Sequence, residues 1–111
     1  MDKLYNLDEL REMTGNDESF MKEMIQLFVT NNKDYLEQLN QGLEEKDWKK
    51  VKFFAHKIKP SILMMKIGKL EDNIYRLNEF AGEEKNLSEI PALVEKLNDI
   101  LPQVLVQLSE E

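Results

Sequence analysis

The sequence predicts an all-α fold, an antiparallel four-helix bundle with a short extra N-terminal helix. Four long segments carry apolar residues at spacings of three and four, the pattern of helices with one buried face. No segment shows the alternation of apolar and polar residues that marks a strand. The connections between segments are short, as they are between antiparallel neighbours in a bundle. We expect one domain over residues 1–111, long enough to bury a modest core.

The first two predicted helices begin after side chains that can cap them. A short helix is predicted over residues 7–13, with Asn6 as its N-cap. Asn16 or Asp17 caps a long second helix that ends near Gly42. Its main apolar stripe consists of Phe20, Met24, Leu27, Phe28, Asn31, Tyr35 and Leu39, widened by Met21, Ile25, Leu36 and Leu43. A stripe this broad predicts packing against two neighbouring helices.

Three further helices follow. Asp47 is the predicted cap of the third, which should end near Gly68. Its predicted core seam consists of Trp48, Val51, Ala55, Ile58, Ile62 and Met65. A fourth helix covers residues 70–80 and stops at Ala81 and Gly82. Ser88 caps the fifth, which has Pro91 in its first turn, a seam that runs to Leu108, and an expected kink at Pro102.

Composition excludes several classes of function. The net charge of −7 argues against nucleic acid, whose phosphates require a basic surface. The absence of cysteine excludes disulfides, thiolate chemistry and cysteine-rich zinc sites. The first residues lack the features of a signal peptide, and no apolar run approaches the ~20 residues that span a bilayer. We therefore expect a soluble cytoplasmic protein, and a monomer, without a membrane partner.

His56 is the only histidine, and helical geometry predicts that it faces solvent. At ~100° per residue it lies about 140° from the centre of the core seam of the third helix. A single histidine most often has no chemical role, so its surroundings decide the interpretation. Residues 46–69 contain eight lysines and one acidic residue, whereas the rest of the chain has 7 basic and 21 acidic residues. The alternative is an ordinary solvated lysine face, although such faces usually alternate in sign.

Apolar side chains share the outward side of this helix with His56. They are Phe53, Pro60, Leu63 and Ile67. An apolar patch with a lysine rim is typical of a protein docking site, although a neighbouring helix could cover part of it. We expect the docking residues to be Lys49, Lys52, Phe53, Pro60 and Leu63. Pro60 also removes the donor that would bind the His56 carbonyl, which introduces either functional strain or a tolerated kink.

The pattern His56-x-x-Lys59-x-Ser61, followed by Gly68, resembles the histidine-containing phosphotransfer (HPt) domain family. That family has roughly His-x-x-Lys-Gly-Ser, with a glycine about seven residues later. The likeness extends over residues 7–108, including the order of the helices and the Asp-Trp pair before the histidine helix. Pro60 departs from the family's usual glycine, which leaves the backbone geometry after His56 open.

The resemblance implies a phosphorelay intermediate. Such a domain accepts a phosphoryl group from the aspartyl phosphate of a receiver domain and passes it to another receiver, the receiver of a hybrid histidine kinase being one option. It carries the group without independent enzymatic turnover. The sequence agrees, since it has neither a P-loop nor a kinase motif set. No cofactor is expected, and Mg²⁺ should come with the receiver because no carboxylate cluster accompanies His56 in the sequence.

Specific roles follow for four residues. Neutral imidazole is available in histidine at pH 7, so His56 can attack phosphorus directly. Lys59, one turn along, can neutralise charge on the transferring group, with Lys52 helping from the other side. Ser61 lies toward the bundle, where it either orients the site or serves only the fold.

Three alternatives to phosphotransfer remain at this point. The strongest is a non-catalytic helical interaction module that docks an acidic partner through the lysine-rich His56 face. A small enzyme with His56 as general base lacks a second catalytic group to orient the ring. A metal site is the weakest alternative, because one histidine has no partner at ligand spacing.

Overall fold

The computed structural model describes residues 3–111; Met1 and Asp2, which begin the stretch that lacks signal-peptide features, lie outside the described residues. Within this range the chain forms five α-helices, a 3-10 turn (Leu87–Glu89) and no strand. The helices are α1 (Asp8–Met13), α2 (Glu18–Glu44), α3 (Trp48–Met64), α4 (Gly68–Glu83) and α5 (Ile90–Ser109). The predicted all-α class is confirmed. No helix in residues 3–111 is both long and apolar enough to cross a membrane.

Helices α2 to α5 form a closed ring in which each packs against two others. Contacts run from α2 to α3, from α3 to α4, from α4 to α5, and from α5 back to α2. Asn32 of α2 binds Ser61 of α3, whereas Gly42 lies against Val51, so these two helices are antiparallel. A Cβ at Gly42 would lie 3.2 Å from the Val51 backbone nitrogen, which shows how closely the helices approach there. The predicted antiparallel four-helix bundle is confirmed.

The predicted caps of α2 and α3 are present. The Asp17 carboxylate accepts a hydrogen bond from the Phe20 amide at 3.1 Å, and Asp47 does the same for Lys50 at 3.1 Å. Each bond satisfies one of the free amides in the first turn of a helix. The prediction for α1 is off by one residue: α1 begins at Asp8, Leu7 holds the N-cap position without a side-chain cap, and Asn6 accepts a hydrogen bond from the Asp8 amide at 2.7 Å. Local side-chain chemistry thus determines where these helices begin.

The buried face of α2 differs from the predicted stripe. Phe20 and Leu27 are exposed, with 47% and 55% of their surface accessible. Asn31 is also exposed, whereas Val29 and Asn32 are buried. The buried residues of α2 are Met21, Ile25, Val29, Asn32, Leu36, Leu39 and Gly42. The stripe was misplaced because α2 carries more apolar residues than its two neighbours cover, and because Asn32 is buried by a contact with α3.

The connection between α3 and α4 is also different from the prediction. α3 ends at Met64, and Gly68 begins α4 rather than ending α3. Lys66 adopts a left-handed backbone with φ of 49°, which turns Ile67 into the core, where 2% of its surface is exposed. The prediction that Ile67 flanks His56 on the outer surface is therefore wrong. It assumed that the helical phase of α3 continued to residue 67.

The boundaries of the last two helices shift as well. α4 continues past Ala81 and Gly82 to Glu83, because a single glycine weakens a helix without ending it. The prediction that Ser88 caps α5 is wrong. Ser88 lies in the 3-10 turn, and α5 begins at Ile90 after Glu89, without a side-chain cap. α5 then continues through Pro102 to Ser109.

The segment before α1 closes one end of the bundle. Its backbone is held by the Asn6 amide, which donates to the Met65 carbonyl at 2.7 Å. Tyr5 is buried, and its hydroxyl donates to the Glu111 carboxylate. Lys3 pairs with the same carboxylate at 3.2 Å. The hydrogen bond from Tyr5 is the main cause that lowers the pKa of Glu111, while burial and Glu111 raise the pKa of Tyr5.

The lowered pKa of Glu111 predicts a stability that depends on pH. A carboxylate with a depressed folded-state pKa stabilises the protein above its unfolded pKa of ~4.3, and this contribution is lost as the pH falls through the folded value. We expect Glu111→Gln to lower the free energy of unfolding by about 0.5–1 kcal/mol at pH 7. Urea denaturation should show the two proteins converging at acid pH. Glu110→Gln, which removes a neighbouring charge, is the control; a difference that stays constant with pH would contradict this assignment.

Candidate functional site

The seam of α3 determines which way His56 points. Val51, Ala55, Ile58 and Ile62 are fully buried, and they recur at the spacings predicted for a core seam. His56 follows Ala55 by one residue, about 100° around the helix, and is exposed. The prediction that His56 faces solvent is confirmed.

A shallow hollow of about 290 Å³ lies on this face of α3. Its lining consists of Lys49, Lys52, Phe53 and His56. Four of the residues singled out from the sequence thus come together around one depression. The hollow is large enough for a phosphoryl-sized anion but is open, so anything larger bound there would remain in contact with the surface around it.

The lysines of this face have no acidic partners among residues 3–111. The ion pairs described there include one lysine of α3, Lys50, which lies 3.9 Å from Glu45. Lys49, Lys52, Lys57 and Lys59 are absent from the described ion pairs. Positive charge on the His56 face is therefore uncompensated within this part of the protein, which favours an anion at the surface.

Phe53 and Pro60 provide the apolar part of the surface. Phe53 has 54% of its surface exposed and packs edge-on against Phe54 at a centroid distance of 4.9 Å. The ammonium of Lys57 lies 5.4 Å from the Phe53 ring centroid. Pro60 is exposed and Leu63 is half-buried, but neither lines the hollow with Phe53 and His56. α3 continues through Pro60 to Met64, although Pro60 cannot donate to the His56 carbonyl.

Ser61 lies on the opposite side of α3 from the hollow. It is buried, and its hydroxyl accepts a hydrogen bond from the Asn32 side-chain nitrogen at 3.1 Å. The same nitrogen donates to the Phe28 carbonyl at 2.8 Å. Ser61 therefore links α3 to α2, as predicted from its position toward the bundle, and the structure does not bring it to the surface around His56.

Helix α4 forms the other border of the site, which the sequence analysis missed. The Asn78 side-chain nitrogen donates to the Ala55 carbonyl at 3.2 Å and to the Ile74 carbonyl at 2.9 Å. This bond joins α4 to the α3 backbone at the residue before His56. A partial signal existed, because Asn78 lies between the core positions Leu77 and Ala81, where a polar side chain would be half-buried. Its acceptor on another helix could not be read from the periodicity.

Two lysines lean toward α4. The Lys52 side chain passes over Gly82, where an added Cβ would lie 3.5 Å from the Lys52 Cε. The Lys59 ammonium lies 4.6 Å from the Tyr75 ring centroid. Lys52 is four residues before His56 and Lys59 three residues after it, so both neighbour His56 on the helix surface. Lys52 lines the hollow beside His56, whereas Lys59 lies over Tyr75 and is not among the lining residues. Both lysines lie against α4, so Lys52 is not on the other side of His56 from Lys59, where it was expected.

This arrangement limits the chemistry of the imidazole. No hydrogen bond to the His56 side chain is made by a carboxylate among the described residues, so the acid–histidine pair of a general-base site is not formed there. No group of three or more potential metal ligands occurs in residues 3–111. What is present is an exposed imidazole that shares a hollow with Lys49 and Lys52, an arrangement suited to binding an anion.

Comparison with known proteins adds one match. The sequence model of the Hpt domain matches residues 23–107, which include α3, α4 and most of α2 and α5. No curated protein matches the chain significantly. No solved structure does so either. Because the match covers most of the 111 residues and includes His56 and both flanking lysines, the chain belongs to the Hpt domain family.

Proposed function

We propose that this protein is a histidine phosphotransfer intermediate in a two-component phosphorelay. It receives a phosphoryl group on His56 from the aspartyl phosphate of one receiver domain and passes it to another receiver. Membership in the Hpt family implies histidine phosphotransfer in general. The observation that carries the assignment to His56 is its exposure in a hollow lined by Lys49 and Lys52.

The transfer step needs only a nucleophile and positive charge on this chain. A lone pair on an imidazole nitrogen of His56 attacks phosphorus, a P–N bond forms, and the acyl P–O bond breaks. Its electron pair leaves with the aspartate carboxylate of the receiver. The reverse step, with a different receiver aspartate, delivers the group onward. The protein is thus a carrier, with no turnover of its own.

Lysine charge supports this step electrostatically. The phosphoryl group carries negative charge on its three equatorial oxygens during transfer. Lys59 and Lys52 flank His56 on one side, and neither has an acidic partner among the described residues. Lys59 is assigned to stabilise the phosphoryl charge, with Lys52 assisting. The Mg²⁺ of the reaction belongs to the receiver, which supplies its own carboxylates.

Docking uses the surface around the hollow. Receiver domains present an acidic site, and the exposed lysines favour encounter with it. Phe53, Pro60 and Leu63 provide apolar contact, rimmed by Lys49 and Lys52. We place the protein in the cytoplasm as a monomer, where receiver domains would reach this surface.

Replacement of His56 tests the central assignment. His56→Gln should abolish phosphoryl acceptance and leave the fold intact, because the side chain is exposed and outside the core. Purified protein would be mixed with receiver domains already phosphorylated by a small-molecule donor. The label should survive base and be lost in acid, as expected of a phosphoramidate bond. A labelled variant would refute the role of His56, and an unlabelled wild type with every receiver would favour the docking module.

Removal of the Lys59 ammonium should slow transfer. Lys59→Ala removes a charge-assisted contact to the phosphoryl oxygens at a half-exposed position, so we expect about a tenfold lower rate. Lys57→Ala is the matched control, since it removes the same charge from the same helix on the side away from α4. Rapid-quench measurement of labelling would compare them. Equal slowing in both variants would indicate a general charge effect.

Ser61 is expected to serve the fold that supports the site. Ser61→Ala removes one acceptor of the Asn32 amide, which keeps its bond to the Phe28 carbonyl. We expect a loss of about 1 kcal/mol in the free energy of unfolding. Labelling of His56 should stay within twofold of the wild-type rate. A large loss of labelling without loss of stability would instead give Ser61 a direct part in transfer.

A further inference from the structure

The ammonium of Lys59 is supported by an aromatic ring rather than by a carboxylate. It lies 4.6 Å from the centroid of the Tyr75 ring, within the range of a cation–π interaction. Lys59 is half-buried, whereas Tyr75 keeps 51% of its surface exposed. An exposed aromatic ring on α4 beside the lysine assigned to the reaction calls for an explanation other than core packing.

Several acidic residues of α4 pair with other cations, and none of the described ion pairs joins α4 to Lys59. Asp72 pairs with Arg76 at 3.0 Å, and Glu79 pairs with Lys85 at 3.6 Å. The neighbour of the Lys59 ammonium on α4 is therefore the ring of Tyr75, although α4 also carries carboxylates. A carboxylate partner would neutralise the ammonium and use its hydrogen-bond donors, while the face of a ring does neither. The ring restricts the side chain and leaves its full charge and its donors available.

The position of Tyr75 relative to His56 is set by backbone contacts. Asn78, one turn along α4 from Tyr75, donates to the Ala55 carbonyl at 3.2 Å. This bond joins the two helices one turn from Lys59 on α3. Lys59 itself follows His56 by three residues, a spacing at which side chains on a helix are neighbours. The ring, the ammonium and the imidazole are thus carried by two helices whose relative position is fixed beside the site.

We propose that Tyr75 is a positioning residue, whose ring holds the Lys59 ammonium beside His56 so that it can contact the phosphoryl group. This inference rests on the proposed function of His56. Without the ring, the lysine side chain would occupy many rotamers, and ordering it would be part of the barrier to each transfer. The phenol hydroxyl has no part in this role.

The test compares Tyr75→Leu with Tyr75→Phe, since leucine removes the ring and phenylalanine retains it. The probe is potassium phosphoramidate, a small donor that needs no receiver, and phosphohistidine would be followed by ³¹P NMR. Nucleophilic attack by His56 on its phosphorus expels ammonia and forms the same P–N bond. We expect labelling to be about two- to fivefold slower in Tyr75→Leu and nearly unchanged in Tyr75→Phe.

A double-mutant comparison separates positioning from general destabilisation. In the Lys59→Ala background, Tyr75→Leu should cause no further slowing, because its effect acts through Lys59. The ring should also shift the Lys59 Cε proton resonances upfield in the wild type and in His56→Gln, and this shift should vanish in Tyr75→Leu. The shift can be measured whether or not His56 is phosphorylated.

The outcomes are distinguishable. Wild-type labelling with an unaffected Tyr75→Leu rate would overturn this inference and leave the proposed function standing. Equal slowing in the presence and absence of Lys59, or slowing by Tyr75→Phe as large as that by Tyr75→Leu, would also overturn it. A wild type that takes up no label from phosphoramidate or from any receiver would overturn the proposed function, and this inference with it.

Discussion

The burial of one seam of α3 is the constraint on which the site depends. Val51, Ala55, Ile58 and Ile62 are completely inaccessible to solvent. Rotation of the helix by one residue would expose much of this seam, at a cost of several kcal/mol in lost burial. His56 therefore points outward because the seam residues must face the core. The same helical phase determines the positions of Lys52 and Lys59.

The charge around His56 is a local departure from what stability alone would favour. Lysines close together on one helix repel each other, and acidic residues at neighbouring positions would have relieved this. The chain has ample acidic residues, 22 in all, yet Asp47 is the only one in residues 46–69. Because the lysines are near water, screening keeps the cost of repulsion small. The uncompensated positive surface therefore destabilises the fold only slightly, and it attracts an anionic group to His56.

Helix α4 contributes to the site without providing a nucleophile. Asn78 binds the α3 backbone beside His56, Gly82 leaves room for the Lys52 side chain, and Tyr75 lies beneath the Lys59 ammonium. Replacement of Gly82 by alanine would bring a Cβ into ordinary contact with Lys52, so the glycine leaves space without being strictly required. The surroundings of His56 are accordingly formed by α3 and α4 together. α2 acts on the other side of α3, where Asn32 binds Ser61.

The sequence by itself determined the number and order of the helices, the caps of α2 and α3, and the phase of α3, but not all of the helix boundaries. Periodicity and capping are local, since they depend on residues within a few turns of each other, so the exposure of His56 and the clustering of lysines around it followed from residues 46–69. Ile67 was misplaced because Lys66 breaks the helical phase with a left-handed backbone, which periodicity does not report. The tertiary structure alone decided that Asn32 is buried, that Phe20 and Leu27 are not, and that Tyr75, Asn78 and Gly82 meet the histidine helix. These outcomes depend on how far one helix slides and turns against the next, which is set by close approaches such as that of Gly42 to Val51 rather than by the pattern within either helix.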